Sequence, residues 1–126
     1  MILAIISISF IIPIGTALYE NEAYLIPSFL IPTAFVFAVA AAFFFFLRNK
    51  KVRLSVSGGI ILVAAAWIAA GILGAIPLCI SGVIPNFADA IFESVSGFTT
   101  TGATILTNVE ACPMTMHVWR TQMHWL

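Results

Sequence analysis

The chain of 126 residues is 62% hydrophobic and 8% charged, with its basic and acidic residues balancing to zero formal charge. A mean hydropathy of +1.13 lies far outside the range of soluble globular domains and marks a membrane protein. The balanced charge, with no patch that interleaves bases with aromatics, argues against a nucleic-acid partner; no Ser-His-Asp order, Walker loop or zinc-ligand spacing supports an enzyme or a cofactor site.

Residues 1–18 are apolar apart from Ser7, Ser9 and Thr16, with Pro13 and Gly15 as kink-prone positions, and are just long enough to span a bilayer. They lack the basic leader of a secretory signal and read as a first span. Glu20, Asn21 and Glu22 then form a short acidic turn. Residues 25–47 run apolar far enough to cross about 30 Å of hydrocarbon. Pro27 and Pro32 fall early in this second span, where a missing N–H or a kink is tolerated. The span ends in Phe43-Phe44-Phe45-Phe46 and meets Arg48, Lys50, Lys51 and Arg53. The positive-inside rule places that connector, and with it Met1, in the cytoplasm and the acidic turn outside.

Residues 58–80 form a third span of different texture. Pairs of small residues four apart, Ala70/Gly74 and Gly71/Ala75, predict a close helix-helix contact. Pro77 and the Ser81-Gly82 pair mark its outer end. Cys79 and the later Cys112 have no second Cys or His at ligand spacing and read as small apolar thiols.

The stretch that follows is the polar anomaly of the chain. Asn86 is suited to cap a helix over residues 87–96, with Phe87, Ile91 and Val95 on one stripe and Asp89 and Glu93 on another. That helix rises only about 15 Å, half the hydrocarbon thickness, and cannot cross. Gly97 is expected to stop it, and residues 98–104, rich in Thr and Gly, to run extended until helical patterning resumes near Met114. A half-length helix followed by Thr-Thr-Thr-Gly has the chemistry of a cation filter, in which successive carbonyls replace an ion's water shell. Gly102 permits backbone angles closed to other residues, the threonine hydroxyls supply oxygens or brace the loop, and the negative helix end at Ser96-Gly97 favours a cation. Glu93 is placed to support the filter backbone from behind, or to be satisfied by neighbouring hydroxyls. Asp89, nearer the outer mouth, either concentrates cations or stabilises the helix start. His117, Arg120 and His124 share a face of the last helix without the donors of a metal site; they are expected to pack against the pore segment or to face water, and Arg120 is near enough to the outer surface to snorkel there.

The order of span, DAIFESVSGFTTTGAT and WRTQMHWL resembles the first membrane-pore-membrane repeat of the Trk/Ktr/HKT potassium transporter superfamily, most closely its TrkH-type membrane subunit. The resemblance implies a potassium-translocating subunit with a filter at Thr99, Thr100, Thr101, Gly102 and Ala103, the glycine favouring potassium over sodium. It further implies a cytosolic TrkA-type nucleotide-binding regulator, a homodimer at full length, and further pore repeats beyond those present here. The expected fold is an all-α membrane protein of the bacterial or archaeal plasma membrane: two leading transmembrane helices over 1–54, and over 55–126 one repeat with a re-entrant pore helix, filter loop and truncated last helix. Its filter would be supported by Glu93, Ser96 and Gly97, with Asp89 at the outer mouth and potassium as the transported substrate. Two other readings fit the same residues: a discontinuous-helix transporter of another family, and a small protein acting only through helix association.

Overall fold

The computed structural model describes residues 9–47 and 55–126, with the side chains of 43, 44, 46 and 47 outside the description. Most of the expected first span and the whole basic connector therefore lie outside the described residues. Helix α1 (Ile11–Tyr19) leads through a 3-10 turn (Ala23–Leu25) into α2 (Ile26–Leu47). Helices α3 (Val56–Ile80), α4 (Phe87–Phe98) and α5 (Met114–Met123) follow. Among the described residues helix is the only regular secondary structure.

Two segments, Ala23–Ala42 and Val56–Ile80, are long and apolar enough to cross a membrane. Ile60, Ile61, Leu62, Val63, Trp67 and Ile68 on α3 are all exposed, a concentration of apolar surface that water would not tolerate on a monomer. Helix α3 begins ahead of the expected position, because Ser55 Oγ accepts the Gly58 N–H at 3.2 Å and caps the first turn. Pro77 lies inside the helix rather than at its end. In α2, Pro32 is likewise internal, and the Thr33 hydroxyl donates to the Phe29 carbonyl at 2.7 Å beside it.

The acidic turn has a local cause. Asn21 adopts φ 58°, a left-handed conformation that Asn accepts more readily than most residues, and the Glu22 N–H closes back on the Ala17 carbonyl at 2.9 Å. That reversal lays α1 against α5. Glu22 then performs a task its sequence position did not suggest. Its carboxylate accepts the N–H groups of Met114 and Thr115 at 3.0 and 2.9 Å, donors at the start of α5 that its own N-cap residue, Pro113, leaves without a side-chain acceptor. Partial burial alone would raise the Glu22 pKa. The adjacent Thr115 hydroxyl, these two N–H donors and the charge of His117 outweigh it and hold the group below its ordinary value.

The core is built around Trp119, fully buried on α5. Its ring stacks on Phe10 at 4.7 Å and meets Phe29 edge-on at 5.9 Å, while its indole N–H donates to the Gly74 carbonyl at 3.1 Å. One side chain thus joins the leading hairpin, α3 and α5. The close contact expected of α3 is made to α4, and the two glycines make it. A Cβ on Gly71 would meet Val95 Cγ2 at 2.8 Å, and one on Gly74 would run into Ser94 Oγ and, at 2.7 Å, the Phe98 ring. The exposed first half of α3, with Ala64 and Ala65 at the surface, takes no part. Replacing Gly74 by Ala should therefore destabilise the chain by about 1–3 kcal/mol through overpacking, read as a lower midpoint of thermal unfolding in detergent; Ala64→Gly should show no comparable packing loss.

Candidate functional site

Helix α4 starts where Asn86 Oδ1 accepts the Ala88 N–H at 3.0 Å, the cap expected from its sequence. Asp89 is exposed in the first turn, where a negative charge complements the helix dipole. The helix turns an unusual face inward. Ala90, Glu93, Ser94 and Gly97 are buried, whereas Phe87, Phe92 and Val95 are exposed. Small and polar residues thus make up most of the buried face, while Phe87 and Phe92 face away and Val95 and Phe98 reach the glycines of α3 from its margins. Of the stripe read from the sequence as apolar, Phe87 faces out, whereas Ile91 packs against the core and Val95 meets Gly71.

The end of α4 corrects the expected stop. Gly97 lies inside the helix, which continues to Phe98. Its small size is needed for packing, since a Cβ there would meet Met123 Cβ at 3.0 Å. Termination falls to the threonines. The Thr101 N–H bonds the Ser96 carbonyl at 3.0 Å and the Thr100 N–H bonds the Gly97 carbonyl at 2.9 Å. With Thr100 at φ 55°, this is a Schellman closure whose left-handed position is occupied by a β-branched residue. Such a residue is strained at positive φ. Gly102 follows at φ 74°, where the lack of a side chain removes that strain. Consequently the Val95, Ser96 and Gly97 carbonyls are taken by N–H groups of the turn itself.

The hydroxyls brace the same turn. Thr99 Oγ1 donates to the Val95 carbonyl at 2.8 Å and lies 2.8 Å from Thr101 Oγ1. Ser96 Oγ donates to the Ala103 carbonyl at 2.6 Å, tying the exit of the turn back to the helix. Thr99, Thr100, Thr101, Gly102 and Ala103 all lie on the surface of the chain.

Behind them sits Glu93, its side chain 3% exposed. Both carboxylate oxygens accept from the Thr104 hydroxyl, at 2.9 and 3.0 Å, and Oε2 accepts the Ile105 N–H at 3.2 Å. These bonds reach the chain immediately after the turn. Arg120 on α5 completes the set, its Nη2 lying 2.5 Å from Glu93 Oε1. Of the placements open to Arg120, packing against the short helix is the one adopted, and snorkelling to the surface is not: a carboxylate removed from water requires a cation, and pairing outweighs the hydration the arginine would find at the surface. A cavity of about 50 Å³ lies between the turn and the ion pair, bordered by Glu93, Ser96, Gly102, Arg120 and His124, roomy enough for water.

Exposed apolar spans beside a half-length polar helix, itself braced by a buried ion pair, define an α-helical membrane protein. The chain belongs to the TrkH family of cation transport proteins, whose model matches residues 25–126. An uncharacterized cation transporter of Methanocaldococcus jannaschii is 36% identical over 99% of this chain and 26% of its own length. The Trk system potassium uptake protein TrkG of Escherichia coli is 31% identical over 95% of this chain and 25% of its own. The corresponding TrkH of Halomonas elongata is 36% identical over 63% of this chain and 17% of its own. The chain thus spans about a quarter or less of the curated relatives it matches. No solved structure matches it.

Arg120→Ala should leave Glu93 buried without a counter-charge and cost about 3–5 kcal/mol, seen as a fall in the thermal unfolding midpoint in detergent that Arg120→Lys reverses in part. Thr100→Gly should act in the opposite sense, raising the midpoint by the equivalent of about 0.5–1 kcal/mol once the greater unfolded-state entropy of glycine is set against the relief of left-handed strain.

Proposed function

We propose that this chain is about a quarter of a potassium-translocating subunit of the plasma membrane, and that residues 99–103 supply one side of its cation filter. One observation carries the reading: a 12-residue helix, too short to cross, delivers a turn with two left-handed residues that is held from behind by a buried carboxylate. Non-helical backbone at membrane depth is stable only where protein or a water-filled path surrounds it. Oxygen-rich, internally braced backbone of this kind suits an ion that must exchange its hydration shell for carbonyl dipoles. The names of the relatives in Escherichia coli and Halomonas elongata, potassium uptake proteins, support potassium as the cation.

In this reading α4 is a re-entrant pore helix between α3 and α5, entered from outside, with the 48–53 connector and Met1 in the cytoplasm. Thr100, Thr101 and Gly102 form the narrow part of the filter, Thr99 and Ala103 its ends, and Ser96, Gly97 and Glu93 its support. Asp89 adds negative potential at the outer mouth. Further repeats close the pore around a common axis, two full-length subunits pair, and a cytosolic nucleotide-binding regulator of the TrkA type controls them. No catalytic residue is assigned.

The test is potassium-dependent growth and rubidium uptake in a host deficient in potassium transport, carrying the full-length subunit with Gly102 intact or replaced by Ser. The substitution should reduce discrimination of potassium against sodium by roughly tenfold, as a loss of about 1.4 kcal/mol in differential binding. Unchanged uptake and selectivity would remove the filter assignment.

A further inference from the structure

The leading hairpin makes contacts to α5 that exceed what packing alone requires. At one end of α5, Glu22 receives one N–H on each carboxylate oxygen, from Met114 and Thr115, across more than ninety positions of sequence. At the other end, Gln122 Nε2 donates to the Ser9 carbonyl at 2.7 Å. Between them Phe10 and Phe29 hold the Trp119 ring. A ten-residue helix gripped in this way has little freedom to slide or rotate. The same short helix carries Arg120, whose partner Glu93 holds Thr104 and Ile105 at the exit of the 99–103 turn.

We propose that Glu22 is a positioning residue for the turn: by fixing the axial position of α5 it sets where Arg120 meets Glu93, and through Glu93 the conformation of the filter backbone. The inference rests on the filter reading above and extends it to the segment that precedes the repeat. The connection is rigid at every step. A carboxylate that accepts two successive N–H groups fixes both height and azimuth of the helix start. The helix passes a displacement of its first turn directly to Arg120 one to two turns later. Glu93, buried and fully engaged, cannot follow the guanidinium without drawing on its bonds to Thr104 and Ile105. On this reading the leading helices contribute more than a membrane anchor, since they determine how well the first repeat holds its ion.

A residue that only stabilised α5 would be replaceable by any good cap, and this separates the two roles. The measurement is radioactive rubidium uptake into liposomes holding the full-length subunit, with sodium as competitor, for native protein, Glu22→Gln, Pro113→Asp and the double variant. Glu22→Gln keeps the shape but can accept only one of the two N–H groups. It should raise the half-saturating rubidium concentration relative to that of sodium by roughly fivefold or more, the lower range of coupling between distant sites. Pro113→Asp supplies a local N-cap to α5, so the double variant should recover the native unfolding midpoint while keeping the altered rubidium-to-sodium ratio. A native ratio in Glu22→Gln, or a ratio restored by the local cap, would overturn the proposal and leave Glu22 as a stabilising cap. Gly102→Ser measured alongside separates this from failure of the filter itself: if that variant also keeps the native ratio, the filter reading falls first.

Discussion

A carboxylate with 3% of its side chain exposed, inside a segment bordered by membrane spans, imposes conditions on everything near it. Desolvating the charge is expensive by several kcal/mol, and the surroundings must return that energy through a cation and hydrogen bonds in good geometry. Glu93 obtains both, from Arg120 on α5 and from Thr104 and Ile105 beyond the turn. The polypeptide between the two ends of this network, residues 94–104, is therefore enclosed by contacts that leave it few alternatives. Strain at Thr100 is sustained in the same way, because the Schellman bonds, the Thr99 hydroxyl and the Ser96 to Ala103 bond all specify the one conformation in which Thr100 must adopt a positive φ.

That network needs α3, α4 and α5 to approach closely, and in a bilayer no hydrophobic driving force brings helices together, since lipid tails are as apolar as leucine. Close approach has to be earned by shape and by polar contacts. Gly71 and Gly74 admit α4 to within side-chain contact of the α3 backbone, Gly97 admits Met123 from α5, and the Gly74 carbonyl left accessible by the missing side chain accepts from Trp119. Phe87 and Phe92 of α4 are then free to face outward, and the buried face is made mostly of small and polar residues. The same logic explains the leading hairpin, whose grip on α5 adds a carboxylate, an amide and an aromatic stack to the aliphatic contacts of the core.

Much of the site was legible from residue types. The Asn86 cap, the half-length of α4 and the close contact through Gly71 and Gly74 follow from local propensity and spacing, and each has its counterpart in the structure. Less legible were the features that depend on what else is nearby. Gly97 looks like a helix stop because glycine commonly is one; its actual requirement, room for Met123, involves a residue from another helix. Arg120 could by its own helix pack against the short helix, face water or snorkel, because nothing in that helix pairs with it. Glu22 looks like part of a solvated acidic turn, because the donors it serves lie some ninety residues further on.

Sequence by itself determined the membrane class, the positions of two apolar spans, the short helix and its cap, since these depend on length, composition and neighbours within a turn or two of helix. Tertiary structure alone decided which face of α4 is inward, how its C-terminus closes, which cation neutralises Glu93 and what holds the start of α5. The division has a physical reason. Transfer of side chains into a membrane and the local geometry of a helix end are properties of short segments, whereas satisfying a buried charge or an orphan N–H is a condition on whatever atoms the folded chain brings within about 3 Å, and their distance along the sequence places no bound on which atoms those are.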